Sequence, residues 1–162
     1  MERRDKTNYY LDIAQSVAER GTCLRRKFGS IIVSHDEIIA TGYAGAPRGR
    51  KNCSDIGICT REKLNIPRGE RYEMCRSVHA EANAIISASR RDMIGATIYI
   101  VCTDPSTGEL IGGTNSCAMC KRMIINAGIA KVVVRDTKDS YRAILVEDWI
   151  ENDETLEGKF GY

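Results

Sequence analysis

Apolar residues recur at helical spacing near the start of the chain and at strand-like spacing directly after it. The recurrence over residues 5–20, followed by Gly21 as a stop, predicts an amphipathic helix. Its apolar positions are Tyr10, Ile13, Ala14 and Val17. Two short β-branched runs come next, FGSIIV and EIIATGY, with the polar residues SHDE between them. Such runs joined by a short polar segment predict a β-hairpin.

From residue 44 to residue 77 the pattern changes to a polar stretch rich in glycine, lysine and arginine. This composition predicts a long loop that contains at most a short helical piece. A loop of this length within a compact domain is usually functional and needs something to hold it in place.

The second half of the chain alternates between helical and strand patterns. Residues 79–91 are predicted to be helical, 96–102 a strand, 117–127 a helix that ends at Gly128, and 130–135 a strand. Strands joined by helices imply parallel crossovers, whereas a hairpin is antiparallel. The order therefore predicts an α/β fold in which a mixed sheet is covered by helices.

Composition and charge narrow the classes of protein that fit this pattern. With 162 residues, 43% of them hydrophobic and 28% charged, the chain has the balance of one globular domain, so residues 1–162 are predicted to form a single domain. A net charge of +2 is too small to favour nucleic acid as a partner, and no apolar run is long enough to span a membrane. The first residues lack the apolar stretch of a secretory signal, so we expect a cytoplasmic protein.

The seven cysteines are the unusual feature of the composition. An odd number in a chain with no export signal argues against a disulfide framework, and clustered thiols are then more often metal ligands or catalytic groups. Cys102 falls on a predicted strand and is expected in the core. The others are Cys23, Cys53, Cys59, Cys75, Cys117 and Cys120.

Cys117 and Cys120 lie three residues apart at the start of a predicted helix, so both thiols project from one face of its first turn. Two thiolates at this spacing form half of a tetrahedral zinc site. Redox dithiols share the spacing, and two independent buried cysteines would show it as well. Taken alone, the pair leaves all three interpretations open.

His79 is one of only two histidines, and it stands where another predicted helix begins. A lone histidine is most often a core or surface side chain with one hydrogen bond. Together with Cys117 and Cys120, however, His79 gives zinc three protein ligands and leaves a fourth position for water, as in catalytic sites. The positive ends of two helix dipoles would also face the metal and stabilise the thiolates.

Glu81 follows His79 by two residues. That spacing places its carboxylate about 200° around an ideal helix from the histidine, so it cannot easily share the metal. From the start of a helix it can instead reach the water and the substrate and transfer protons between them. The alternative is a solvated acid that the helix dipole favours there.

The motifs HAE and SCAMC resemble the His-x-Glu and Pro-Cys-x-x-Cys signature of the cytidine deaminase superfamily. The runs GTCLRRKFGSIIV, IIATGYAGAPRG, CRSVHAEANAI and MIINAGIAKVVV are similar, in order and spacing, to the deoxycytidylate (dCMP) deaminase family, as far as about Arg135. The resemblance implies a three-layer α/β/α cytidine-deaminase-like fold with a central mixed sheet of about five strands. It also implies zinc-dependent hydrolysis of dCMP to dUMP and ammonia, with Glu81 as the catalytic proton carrier.

Three positions depart from the family pattern. Ser116 replaces the usual proline, although serine suits a helix N-terminus. Ala44 stands where relatives carry a sugar-contacting asparagine, and the 102–115 segment is a longer link that either covers the site or is a neutral insertion. Two alternatives therefore stay open. The chain is a deaminase of another substrate (deoxycytidine, CMP, dCTP, guanine or tRNA adenosine), or it is a non-catalytic zinc-binding module.

A nucleotide substrate needs a cation near its phosphate, and the resemblance favours Arg26, which lies next to the substrate strand. A run of charges such as CLRRKFG is more often a solvated face, so the run alone does not decide this. Ala80 and Ser116 are the other expected substrate contacts.

The resemblance also implies features outside the catalytic centre. A second, structural zinc is expected near the long loop, with independently buried thiols as the alternative. Its candidate ligands are Cys23, Cys53, Cys59 and Cys75. We further expect a homo-oligomer, which is a hexamer in relatives, and regulation by dCTP and dTTP. The tail run ILVEDWI, which carries the only tryptophan, either caps the sheet or serves an interface.

Overall fold

A five-stranded mixed sheet forms the centre of the protein. The computed structural model describes residues 1–158. The strands are β1 (Lys27–Ser34), β2 (Glu37–Tyr43), β3 (Thr97–Thr103), β4 (Lys131–Arg135) and β5 (Tyr141–Leu145). They lie in the order β2-β1-β3-β4-β5, with β3 and β4 parallel and the other neighbours antiparallel. The predicted hairpin and mixed sheet are both confirmed.

Short helices connect the strands. Over residues 1–158 they are α1 (Lys6–Ala18), α2 (Cys53–Ile56), α3 (Thr60–Lys63), α4 (Ala80–Ile86), α5 (Arg90–Met93), α6 (Ala118–Ala127) and α7 (Val146–Glu151), with 3₁₀ turns at Tyr72–Met74 and Glu154–Glu157. Asp5 precedes α1 and accepts a hydrogen bond from the Asn8 amide, which fixes the start of that helix.

The sheet buries side chains on both faces, because alternate residues of a strand point to opposite sides. On one face Ile31, Tyr99 and Val133 pack against Leu11 and Ala14 of α1. This face holds α1 against the middle of the sheet.

The opposite face carries the helices that build the site. Ile98, Ile100 and Val132 pack there with Ala84 of α4 and Ile124 of α6. Helices therefore cover both faces of the sheet, which confirms the three-layer α/β/α architecture.

Close packing sets the position of α4. A Cβ atom on Gly42 of β2 would lie 2.3 Å from the carbonyl oxygen of Ala80, so only glycine fits there. The side-chain amide of Asn83 donates to the carbonyl oxygen of Tyr43 at 2.8 Å, which joins α4 to the end of β2. The first turns of α4 are thereby fixed against the sheet.

The prediction of one continuous helix over 79–91 is wrong, because α4 and α5 are separate, with Ser87 and Ser89 between them. The hydroxyl of Ser87 donates to the carbonyl oxygen of Asn83 at 3.0 Å. Serine side chains that bond to nearby backbone disfavour a helix interior. The break allows Met93 of α5 to enter the core.

The long loop and the tail contain more secondary structure than their sequences predict. The 44–77 segment contains α2, α3 and a 3₁₀ turn, and the tail forms β5 and α7. Trp149 packs against the core cluster, with Nζ of Lys121 5.2 Å from its ring centroid. The tail therefore caps the sheet, which was one of the two predicted roles. Within residues 1–158, none of the helices has the length and apolar character needed to cross a bilayer.

Candidate active site

Two helices begin at the same place and bring three metal-binding side chains together. His79 is the residue immediately before α4, and Cys117 is the residue immediately before α6. Cys120 follows in the first turn of α6. The Sγ atoms of Cys117 and Cys120 each lie 3.5 Å from Nδ1 of His79, and the three ligand atoms are all within 4.8 Å of one another. The structure thus unites the three residues that the sequence singled out.

The geometry of this group fits a tetrahedral zinc ion. Bonds of about 2.3 Å to sulfur and about 2.1 Å to nitrogen at a tetrahedral angle separate the two ligand atoms by about 3.6 Å. The observed separations of 3.5 Å agree with that value. Within residues 1–158, no fourth Cys, His, Asp or Glu joins the group, so an ion held there would have three protein ligands.

The group formed by these three side chains holds protons that a metal ion would have to displace. The thiolate of Cys117 accepts a hydrogen bond from Cys120, which lowers the pKa of Cys117 to about 4 and raises the pKa of Cys120. Burial lowers the pKa of His79, but its contacts with Cys117 and Cys75 outweigh burial and raise that pKa to about 11. A metal ion must therefore displace protons from the imidazole and from one thiol when it binds.

Glu81 lies in the first turn of α4 and is only 4% exposed. Burial raises the pKa of its carboxyl group, because a charged carboxylate is poorly solvated there. A raised pKa lets a carboxyl group hold a proton at a higher pH than an ordinary glutamate does, as a proton carrier requires. Glu81 is therefore chemically suited to general acid–base catalysis.

A cavity of about 380 Å³ is lined by His79, Cys117 and Glu81, and this volume accommodates a small-molecule ligand. Its wall is also positively charged. Five arginines line it, namely Arg25, Arg26, Arg61, Arg68 and Arg76. Guanidinium groups match phosphate oxygens in geometry and charge. The cavity thus joins a metal-binding group to a cationic wall.

Tyr72 is a wall residue that the sequence analysis missed. Its ring meets His79 edge-on, with the ring centroids 5.6 Å apart. It comes from the 3₁₀ turn of the 44–77 loop, so this loop supplies part of the site. The available signal was an aromatic residue in an otherwise polar segment, which by itself names no role.

Comparison with known proteins identifies the family. The family model for the cytidine and deoxycytidylate deaminase zinc-binding region matches residues 4–136. The chain belongs to this family. A deoxycytidylate deaminase of Mycobacterium phage D29 is 36% identical over 82% of this chain and 96% of that protein. A deoxycytidylate deaminase of Schizosaccharomyces pombe is 32% identical over 86% of this chain, which spans only 40% of that protein.

The solved structures agree with this assignment. The apo crystal structure of dCMP deaminase from the cyanophage S-TIM5 is 26% identical, with a TM-score of 0.58, and the match covers 85% of this deaminase and 88% of that chain. The predicted family, the cytidine-deaminase-like fold and the deaminase class of enzyme are confirmed. The family match ends where the sequence resemblance was expected to end, so β5 and α7 lie beyond it.

Of the three predicted substrate contacts of the deaminase, two line the cavity and the third is buried beside it. Arg26 and Ala80 both line the cavity. Ser116 is 1% exposed and, within the described chain, lies outside the cavity lining, so its contact with substrate stays a prediction. Ala44 lines the cavity, and the effect of this position on substrate selectivity stays a prediction.

The inserted segment before α6 is fastened to the edge of the sheet. Arg142 of β5 forms an ion pair with Asp136 at 3.0 Å and donates to the carbonyl oxygen of Thr114. Asn115 follows and lines the cavity. The segment therefore reaches the cavity wall, and its predicted role in covering the site stays a prediction.

Four further thiols line the same cavity of the deaminase. They are Cys23, Cys53, Cys59 and Cys75. Burial raises the pKa of Cys53, and the neighbouring thiols add to this effect. Within residues 1–158, no three of the four bring their sulfur atoms within 4.8 Å of one another, so the second zinc stays a prediction. Cys102 is fully buried in β3, as expected for a core residue.

Proposed function

We propose that this deaminase removes the 4-amino group of dCMP by zinc-dependent hydrolysis, giving dUMP and ammonia. The observation that carries the proposal is the meeting of His79, Cys117 and Cys120 beside the buried Glu81 in a cavity with an arginine-rich wall. The metal-binding group suits hydrolysis at an amino-substituted ring, and the arginines suit a phosphorylated substrate. The names of the relatives support the choice of a cytosine deoxynucleotide.

The chain's own residues divide the chemistry between them. His79, Cys117 and Cys120 would hold zinc, which lowers the pKa of a water molecule at the open position. Glu81 would accept a proton from the attacking water as a bond forms to C4, and pass that proton to N3 of the ring. Glu81 would then take the remaining proton of the attacking water from the new hydroxyl group on C4 and deliver it to the amino group. The C4–N bond breaks, the C4 carbonyl of uracil forms, and the amino group leaves as ammonia. The raised pKa of Glu81 supports this role.

At the substrate end of the cavity, we assign Arg26 to the phosphate and Ala80 to the base, since both residues line the cavity. Ala80 lies between a metal ligand and the proton carrier, which suits a contact with the reacting ring. Ser116 is retained as a substrate contact only by resemblance.

Other features of the proposal rest on resemblance to the family. We infer one catalytic domain over 1–162, of which residues 159–162 lie outside the described residues. A cytoplasmic location, a homo-oligomer with the hexameric form of relatives, regulation by dCTP and dTTP, and a second, structural zinc also stay predictions.

The proposed reaction is tested by ammonia release and by the absorbance loss as cytosine becomes uracil. Glu81→Gln should keep its zinc and fold, because Glu81 is not a metal ligand, and should lose turnover by about 100-fold or more. Glu147→Gln is a matched control, because Glu147 is an exposed acid at the same first-turn position of α7. Full activity in Glu81→Gln would overturn the proposed mechanism.

A substrate panel tests the choice of dCMP. Wild-type rates with dCMP, CMP, dCTP, deoxycytidine, guanine and tRNA should be highest for dCMP. A clear preference for another compound would replace the substrate while keeping the chemistry. A protein that holds zinc yet is inert towards every compound would favour a non-catalytic zinc-binding module.

A further inference from the structure

Arg61 is a buried cation in the wall of the active-site cavity. It lies in α3 and is 4% exposed, while Glu62 and Lys63 of that short helix are exposed to solvent. Its Nη2 atom donates to the carbonyl oxygens of Pro67 and Glu70 at 3.1 and 3.0 Å. Its guanidinium carbon lies 4.2 Å from the ring centroid of Tyr72. The guanidinium group is therefore held in one orientation.

The charge of Arg61 has no acidic partner within residues 1–158. Its Nε atom is buried and has no hydrogen-bond acceptor. Of the acids that line the cavity, Asp104 accepts hydrogen bonds from the Ser106 amide and hydroxyl instead. A buried charge without a counter-charge is costly, so such a group is expected where an anionic ligand completes it.

The other cavity arginines are less suited to bind an anion. Arg25 is already paired with Glu62 at 3.1 Å. Arg76 donates from Nε to the carbonyl oxygen of Lys51 at 2.6 Å. Arg68 is exposed. Arg26 and Arg61 are then the best-placed cations, and of these two only Arg61 is buried and held rigidly. A preorganised donor loses little conformational entropy on binding.

Arg61 is also linked to the metal-binding group through one aromatic ring. Tyr72 carries the Arg61 guanidinium on its ring and meets His79 edge-on. A nucleotide whose base lies at Glu81 would therefore have the fixed guanidinium group of Arg61 near it in the wall of the same cavity. We propose that Arg61 binds the phosphate of the nucleotide substrate and so selects phosphorylated over unphosphorylated substrates. This inference rests on the proposed function as a nucleotide deaminase.

The test compares a nucleotide with its nucleoside. For Arg61→Gln we expect kcat/KM with dCMP to fall about 10- to 100-fold, mainly through KM, because a hydrogen bond to a charged group is lost. Turnover of deoxycytidine should change less than about twofold, since it has no phosphate. Lys63→Gln, which removes an exposed cation from the same helix and does not line the cavity, should leave both substrates unaffected.

A purely structural role for Arg61 would lower dCMP and deoxycytidine turnover equally, and that result would overturn the inference. If Arg61→Gln does not fold, as judged by thermal unfolding, Arg61→Lys serves as the second variant. It keeps the charge but loses the planar fork, so a smaller loss confined to dCMP is expected. An equal loss with both substrates would again overturn the inference.

Product binding separates this inference from the proposed reaction. Calorimetry should show that dUMP binds wild-type protein more tightly than deoxyuridine, and that Arg61→Gln removes most of that difference. If wild type fails to deaminate dCMP but still shows this pattern, the proposed function fails and the role of Arg61 stands. If dCMP is deaminated and the dUMP preference is the same in both proteins, the inference about Arg61 fails alone.

Discussion

The hydroxyl of Ser30 donates a hydrogen bond to the carbonyl oxygen of Ala80 at 2.9 Å, and so ties the central part of the sheet to the start of α4. Ser30 is fully buried on β1, and Ala80 lies between His79 and Glu81. One hydrogen bond therefore helps to position both the metal-binding imidazole and the proposed proton carrier. Gly42 approaches the same carbonyl oxygen from β2.

Gly42→Ala should destabilise the protein and weaken metal binding together. The added Cβ would lie 2.3 Å from the Ala80 carbonyl oxygen and 2.4 Å from the Ala84 amide nitrogen, and these backbone atoms can yield only if α4 moves. We expect a loss of about 1–3 kcal/mol in the free energy of unfolding, by analogy with other overpacked cores. Denaturant unfolding and a zinc titration measure the two effects.

Gly45→Ala is the matched control for this substitution. Its added Cβ would make only ordinary contacts, 3.5 Å from Thr22 Oγ1, and its backbone is not left-handed. Stability and zinc affinity should change little. Equal effects of Gly42→Ala and Gly45→Ala would show that contact with α4 is not what requires glycine at position 42.

Substitution of the proposed ligands should remove one zinc ion per chain. Cys120→Ala leaves only one thiol and one imidazole in the group, so we expect loss of that ion and of turnover. Treatment of wild type with a chelator should also abolish activity, and added zinc should restore it. Metal analysis by mass spectrometry provides the count.

Cys102→Ala controls for the loss of a buried thiol, because Cys102 is fully buried in β3 and lies outside the metal-binding group. Its zinc content should match wild type. Cys53→Ala tests the predicted structural zinc separately. If wild type holds two zinc ions and Cys53→Ala loses one of them while keeping its activity, the prediction of a structural zinc is supported. One zinc ion per chain in both wild type and Cys53→Ala contradicts it.

The sequence predicted the metal-binding group because each member sits beside a visible helix start. His79 and Cys117 precede runs of helix formers, and the three-residue spacing of Cys117 and Cys120 fixes their common face. The position of Glu81 near the group, but not within it, was predicted from its place two residues after His79. Local spacing therefore sufficed to predict that the three residues of the group lie together, whereas the catalytic role of Glu81 stays a prediction.

The wall of the site could not be predicted in the same way. Arg61 and Tyr72 lie in a loop without periodicity, and their positions depend on contacts made after the loop folds back onto α4. The break between α4 and α5 has a local cause, because the Ser87 hydroxyl bonds to the backbone of α4. In the sequence, however, the low helix propensity of one serine was too weak a signal to overrule the helical pattern of its neighbours. Long-range packing decided what sequence periodicity left open.

Asp136 should make stability depend on pH in the acid range. Burial raises its pKa, but hydrogen bonds from Arg142 and from the Gly113 amide outweigh burial and hold the pKa of Asp136 below its usual value. A carboxyl group whose pKa is lowered on folding stabilises the protein above its unfolded pKa of about 4, and this contribution is lost as pH falls through the folded value. We therefore expect Asp136→Asn to be less stable than wild type at neutral pH.

The difference in melting temperature between wild type and Asp136→Asn should shrink as the pH is lowered below about 4. Taking the difference at each pH removes the contribution of groups that both proteins share, including loss of metal in acid. Asp139→Asn is the control in the same turn, because Asp139 is exposed and, among residues 1–158, forms an ion pair only with the partly exposed Arg4. A difference that stays constant with pH would exclude Asp136 as the source.

Arg135 should be required for stability but not for the site. It is 1% exposed at the end of β4. Its Nη1 atom donates to the carboxylate of Asp12 at 2.8 Å and to the side-chain oxygen of Gln15 at 3.0 Å. Its Nη2 atom donates to the backbone and side-chain oxygens of Asn8, both at 3.1 Å. Arg135→Met keeps the length of the side chain but removes the donor to the buried oxygens of Asn8 and to the carboxylate of Asp12. We expect a loss of about 2–4 kcal/mol in the free energy of unfolding.

Arg4→Met is the control for Arg135, because Arg4 also pairs with Asp12, at 2.9 Å, but from the solvent side of α1. Water can replace an exposed guanidinium group and cannot reach the position of a buried one, so the loss in Arg4→Met should be clearly smaller. Zinc content and KM for dCMP should be unchanged in both variants, since α1 covers the face of the sheet opposite to α4. Loss of zinc in Arg135→Met would mean that the two faces of the sheet are coupled through β4. Equal losses of stability in the two variants would mean that burial of the Arg135 charge is not what holds α1 in place.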